Sequence, residues 1–131
     1  MNNMKKILLI LFLLIALVSC AEATTLKQND PQLITASVGK TMMDNDHKII
    51  LVDVRTQSEF DEGHIEGAIL LPLDTIASNA EKLLKNKSAT IIVYCRSGNR
   101  SATAVDLLYE LGYANLYDMG GIIYWPYGIV N

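Results

Sequence analysis

The most informative segment of the chain reads Ile91-Ile92-Val93-Tyr94-Cys95-Arg96-Ser97-Gly98-Asn99-Arg100-Ser101. It opens with an apolar, largely β-branched run, which predicts a buried strand that ends at Cys95. A helical pattern follows over residues 102–111, so a short polar and basic loop joins the strand to the helix. Backbone N–H groups in such a loop converge on an anion, as they do at a helix N-terminus. We therefore expect the loop to hold the Cys95 sulfur as a negatively charged, nucleophilic thiolate.

Strand and helix patterns alternate along the rest of the chain. The predicted strands cover residues 33–35, 49–55, 68–71, 90–94 and 116–119. The predicted helices cover residues 36–44, a short segment that ends at residue 62, and residues 76–85 and 99–111. Thr35 is expected to cap the first helix, Thr56 or Ser58 the second, and Asp74 or Thr75 the third. This order indicates an α/β fold with a mainly parallel central sheet flanked by helices, in which ligands bind beyond the carboxyl ends of the strands.

Two further expectations concern packing. Apolar spacing predicts that Ile76, Ala80, Leu83 and Leu84 share the buried face of the third helix. The same spacing predicts Ala102, Val105, Leu108 and Leu111 on the buried face of the fourth helix.

Gly120-Gly121 is expected to form a flexible turn after the last strand.

The N-terminus has the pattern of a secretory signal peptide. Two lysines precede twelve apolar residues, 7–18. As a helix these would span about 18 Å, less than the roughly 30 Å of a bilayer core. The run ends in Leu17-Val18-Ser19-Cys20, which resembles a bacterial lipobox and predicts a lipidated Cys20 as the mature N-terminus. Cleavage after Ala23 and retention as an uncleaved anchor are the alternatives.

These features divide the chain into three parts. Residues 1–19 are the expected lipoprotein signal peptide, and the polar residues 20–32 are the expected membrane tether. Residues 33–131 are long enough for one compact domain. We therefore expect an exported protein that is attached by lipid to the extracytoplasmic face of the cell envelope.

Charge and cysteine content restrict the function. The chain has a net charge of −3, and loss of Lys5 and Lys6 with the signal would leave 9 basic against 14 acidic residues. Such an acidic body argues against nucleic acid as a partner. Cys95 would be alone in an oxidising compartment, as an intermolecular disulfide partner or a reactive thiol, and its basic loop favours the thiol. His47 and His64 lie far apart and no CxxC is present, so we predict no metal and no cofactor.

From about residue 33 to residue 130 the chain resembles a single-domain rhodanese, a sulfurtransferase. Exported members of that family combine a signal peptide with one domain in a similar layout. Three groups of residues carry the resemblance: Leu51-Val52-Asp53-Val54-Arg55 with Glu59-Phe60 and Gly63-His64-Ile65-Glu66-Gly67-Ala68; Cys95 to Ser101; and Leu111-Gly112-Tyr113 with Gly120-Gly121 and Trp125.

The resemblance implies a two-step mechanism. The Cys95 thiolate takes the outer sulfur of a small anionic donor such as thiosulfate, and the resulting persulfide passes it to cyanide or a thiol. Arg100 would shape the loop and bind the donor, and Arg96 would raise the local positive potential. The residues expected to surround the persulfide with backbone N–H groups are Arg96, Ser97, Gly98, Asn99 and Arg100.

The remaining family positions are expected to be structural. Asp53 and Arg55 would support the end of a strand, His64 would order a loop by hydrogen bonding, and Trp125 would pack at the rim of the core. Cys95 and Arg100 enclose four residues, whereas related phosphatases and arsenate reductases enclose five, so the resemblance favours sulfur over phosphate. A persulfide carrier for another exported protein and a non-catalytic binding module are the other hypotheses.

Overall fold

A computed structural model of the chain describes residues 3–7 and 27–131. Residues 27–131 form a five-stranded sheet in the order β1-β5-β4-β2-β3, in which every neighbouring pair is parallel. The predicted α/β class with a parallel sheet is therefore confirmed. The strands are β1 Gln32–Leu33, β2 Ile50–Asp53, β3 Ile69–Leu70, β4 Thr90–Cys95 and β5 Asn115–Gly121.

Helices connect these strands on both faces of the sheet. They are α1 Ala36–Asn45, α2 Gln57–Glu62, α3 Ile76–Leu83 and α4 Asn99–Glu110, with 3-10 turns at Leu73–Thr75 and Ile122–Tyr124. The Thr35 and Thr56 side chains accept hydrogen bonds from the third residue after them, so both predicted caps are confirmed. Thr75 is the N-cap residue of α3, as one of the two predictions has it, but its side chain does not cap the helix, because its hydroxyl donates instead to the carbonyl of Pro72 at 2.8 Å.

The sheet is buried on both faces, as its continuous apolar runs predict. Residues 91–95 of β4 are at most 1% exposed. The core on one face contains Val52, Ile91 and Val93 with side chains of α3 and α4. The core on the other face contains Leu51, Ile92 and Tyr94.

Two predicted helix faces are partly wrong. Leu83 is 48% exposed, because α3 ends there and Leu84 turns into the core instead. In α4 the buried residues include Ser101 and Ala104, whereas Ala102 is exposed. Ser101 tolerates burial because its hydroxyl donates to the carbonyl of Gly98 at 3.0 Å.

The domain begins before residue 33. The side chain of Gln28 donates to the Tyr113 carbonyl at 3.0 Å, and the Asn29 N–H donates to the Ala114 carbonyl at 3.0 Å. Gln32 pairs with Tyr117 in the sheet. The predicted tether, 20–32, is therefore wrong over residues 28–32, because their polar groups bond to the domain.

The predicted lipidation site Cys20, the alternative cleavage site at Ala23 and residues 8–19 of the signal lie outside the described residues. Within residues 3–7 and 27–131, no helix combines the length and apolar character required to span a bilayer.

Candidate active site

Cys95 is the last residue of β4 and is 1% exposed. Its Sγ accepts a hydrogen bond from the Gly98 N–H at 3.0 Å. Gly98 has φ 114°, a left-handed conformation that glycine adopts without steric cost, and this turn aims the amide at the sulfur. Among the five predicted donors in the described chain, Gly98 is the one whose N–H bonds to Sγ.

The end of β5 presses against this loop. A side-chain carbon on Gly121 would lie 2.6 Å from Ser97 Cα, closer than atoms can approach, so the glycine permits the contact. The N–H of Ile123 donates to the Arg96 carbonyl at 3.2 Å. The prediction of a flexible turn at Gly120-Gly121 is wrong, because both residues lie in β5 and Gly121 pairs with Cys95.

Arg100 links the loop to α2. Its guanidinium donates two hydrogen bonds to the Glu59 carboxylate, at 2.7 and 2.9 Å. These bonds lower the pKa of Glu59 from 4.5 to about 2, and the same pairing raises the pKa of Arg100. Arg100 therefore links the loop to α2, and its positive charge is already neutralised by the Glu59 carboxylate. Sequence reasoning did not place Glu59 in the site, because 41 residues separate the pair and no local pattern connects them.

Asp53 and Arg55 form a second ion pair at the end of β2. The Arg55 side chain donates to Asp53 Oδ2 at 2.7 Å and to the Gly63 carbonyl at 2.7 Å. The two side chains are 0% and 7% exposed, respectively. A buried charge needs such a partner, so this pair fixes the loop after α2 against the end of the strand.

His64 lies in that loop, and both its ring and its backbone contact neighbouring segments. Its Nδ1 donates to the Phe60 carbonyl at 2.9 Å, and its ring stacks on Phe60 with centroids 3.7 Å apart. Its backbone exchanges two hydrogen bonds of 2.8 Å with Val130. These contacts hold the loop against α2 and the C-terminal segment.

A cleft of about 450 Å³ borders the Cys95 loop through Arg96. Its charged lining residues are Arg55, Arg96, Glu59 and Glu62. Its apolar lining residues are Ile122, Ile123, Trp125 and Ile129. Within residues 27–131 no hydrogen bond or ion pair engages the Arg96 side chain, so its charge is available to a ligand in the cleft.

Comparisons with known proteins find a matching family model, related sequences and similar solved structures. The family model described as a rhodanese-like domain matches residues 35–125. The thiosulfate sulfurtransferase PspE of Escherichia coli strain K12 is 32% identical over 71 residues, which cover 54% of this chain and 68% of that protein. A sulfurtransferase of Allochromatium vinosum is 37% identical over 78 residues, covering 59% and 71%. A solved structure of a rhodanese with anions from E. coli matches 63% of this chain and 98% of its own, with a TM-score of 0.60 and 29% identity.

The Glu59–Arg100 pair makes stability depend on pH. Because folding lowers the pKa of Glu59 from 4.5 to about 2, its contribution is present above pH 4.5 and is lost as the pH falls toward 2. We expect Glu59→Gln to lower the Tm most above pH 4.5, with a difference from wild type that disappears near pH 2. Thermal unfolding followed by circular dichroism across this range measures the difference.

Glu62→Gln is the matched control, because Glu62 is exposed in the same helix and makes no ion pair among the described residues. A wild-type advantage over Glu59→Gln that stays constant between pH 7 and pH 2 would contradict the assignment.

Proposed function

Because the chain belongs to the rhodanese-like domain family, we propose that it is a sulfurtransferase that carries sulfane sulfur as a persulfide on Cys95. The hydrogen bond from the Gly98 N–H to Cys95 Sγ is the observation that carries this proposal. An N–H donor at 3.0 Å stabilises negative charge on the sulfur, both before and after it accepts a second sulfur atom.

In the first step the Cys95 thiolate attacks the outer sulfur of thiosulfate. A sulfur–sulfur bond forms to Sγ, the bond between the outer sulfur and the sulfonate group breaks, and sulfite leaves with that electron pair. In the second step cyanide or a thiolate attacks the terminal sulfur of the persulfide, and Sγ recovers the electron pair. The thiolate is regenerated and no oxidant or reductant is consumed.

Arg96 is the cation that would attract the anionic donor. Its side chain is exposed in the cleft beside the loop, whereas the charges of Arg55 and Arg100 are paired with carboxylates. The E. coli relative is named for thiosulfate, and the E. coli neighbour structure is described as containing anions. Both names support an anionic sulfur donor for this chain.

Purified protein should produce thiocyanate from thiosulfate and cyanide, and Cys95→Ser should reduce this to background because the nucleophile is lost. Arg96→Ala should lower kcat/KM for thiosulfate about tenfold, the effect of one charge-assisted contact. Lys82→Ala, an exposed lysine on α3, is the matched control and should not change it.

Intact mass spectrometry after thiosulfate treatment provides the second readout. Wild type should gain the mass of one sulfur atom and Cys95→Ser should not. A sulfur adduct without thiocyanate production would favour a persulfide carrier. No adduct, together with equal thiocyanate from wild type and Cys95→Ser, would overturn the proposal.

We also propose that the protein is exported and anchored by lipid at Cys20, on the support of the sequence pattern around that residue. Expressed in a bacterium with lipoprotein processing, wild type should be acylated and partition with membranes. Cys20→Ala should lose both properties. Normal release with an N-terminus following Ala23 in the wild type would overturn lipidation.

A further inference from the structure

We infer that the cleft beside the Cys95 loop binds the sulfur acceptor, and that this acceptor is an organic thiol with an apolar body. This inference rests on the proposed function, because it assigns the molecule that takes the sulfur from Cys95. It is based on the size, charge and lining of the cleft.

The cleft is larger than the inorganic molecules used to assay sulfur transfer. Its volume of about 450 Å³ lies in the range of pockets that hold organic ligands. A molecule such as cyanide would occupy only a small part of it. The remaining space has an apolar side, which we call the apolar wall and define as Ile122, Ile123, Trp125 and Ile129.

The apolar wall is joined to the catalytic loop. The Ile123 N–H donates to the Arg96 carbonyl, one residue from Cys95. At the other end, Ile129 covers Gly63 so closely that its Cδ1 would lie 2.6 Å from a side-chain carbon there. Ile123 and Ile129 nevertheless remain 55% and 57% exposed, which leaves their outer surfaces available to a ligand.

The charges of the cleft nearly cancel. Arg55 is neutralised by Asp53, and Glu59 by Arg100. Arg96 and Glu62 remain, with opposite charges and no partners within residues 27–131. Arg96 can attract the thiolate of an acceptor, and because the other described cations of the lining are paired, the rest of that acceptor is expected to be uncharged.

The transfer step follows from this placement. The acceptor thiolate attacks the terminal sulfur of the Cys95 persulfide anion and forms a new sulfur–sulfur bond. The bond from Sγ to that sulfur breaks, and its electron pair returns to Sγ. The products are the Cys95 thiolate and the anion of an organic persulfide, so charge and electrons balance with no oxidant or reductant.

A series of straight-chain alkanethiols, from ethanethiol to hexanethiol, tests the inference on the full-length protein after loading with thiosulfate. Thiol reactivity changes little along the series, so chain length reports burial in the cleft. We expect kcat/KM for persulfide reduction to rise about twofold to threefold for each added methylene, less than the roughly fourfold expected for full burial.

The double variant Ile123→Ser/Ile129→Ser should reduce this increment toward onefold, because the apolar wall loses the side chains that would contact the added methylenes. Leu83→Ser is the matched control, because Leu83 is similarly exposed on α3, outside the cleft, and should keep the wild-type increment. Circular dichroism melting checks that all variants fold.

Equal kcat/KM along the series in wild type, or an unchanged increment in the double variant, would overturn the inference while the wild type still transfers sulfur to cyanide. Absence of any persulfide on Cys95 would instead overturn the proposed function and this inference together. The two failures are therefore distinguishable.

Discussion

The hydrogen bond from the Gly98 N–H to Cys95 Sγ is the interaction on which the site depends. The chain can turn this sharply because Gly98 adopts a left-handed conformation, and because Gly121 has no side chain where β5 meets the loop. The pairing of β4 with β5 shifts register between Val93 and Tyr94, and this shift places Gly121 opposite Cys95. The sheet and the loop thus form one connected unit around the sulfur.

Two ion pairs extend this unit to the neighbouring segments. Arg55 binds Asp53 and the Gly63 carbonyl, which fixes the loop after α2. Arg100 binds Glu59, which fixes α2 against the start of α4. Each arginine is neutralised by its carboxylate partner. The two pairs therefore order the site without giving it a strong positive potential. Arg96 is left as the cation that faces a largely apolar cleft.

Local signals in the sequence predicted much of this arrangement. The β-branched run before Cys95 and the threonine caps of α1 and α2 act within a few residues, and the structure confirms the strand and both caps. Features that depend on distant segments were missed. Glu59 meets Arg100 only through the fold, and Gly121 is needed for a contact that no local pattern reveals. The start of the domain at Gln28 likewise depends on hydrogen bonds to residues more than eighty positions away.

The Gly98 amide itself offers the most direct test. In proton–nitrogen correlation spectra of isotope-labelled protein, treatment with thiosulfate converts Cys95 to its persulfide, which intact mass spectrometry follows independently. The Gly98 amide resonance should shift in step with the gain of one sulfur atom, because its acceptor Sγ changes chemically. It should not shift in Cys95→Ser. A Gly98 resonance that shifts no more than that of exposed Gly67, while the persulfide forms, would contradict the role given to this hydrogen bond.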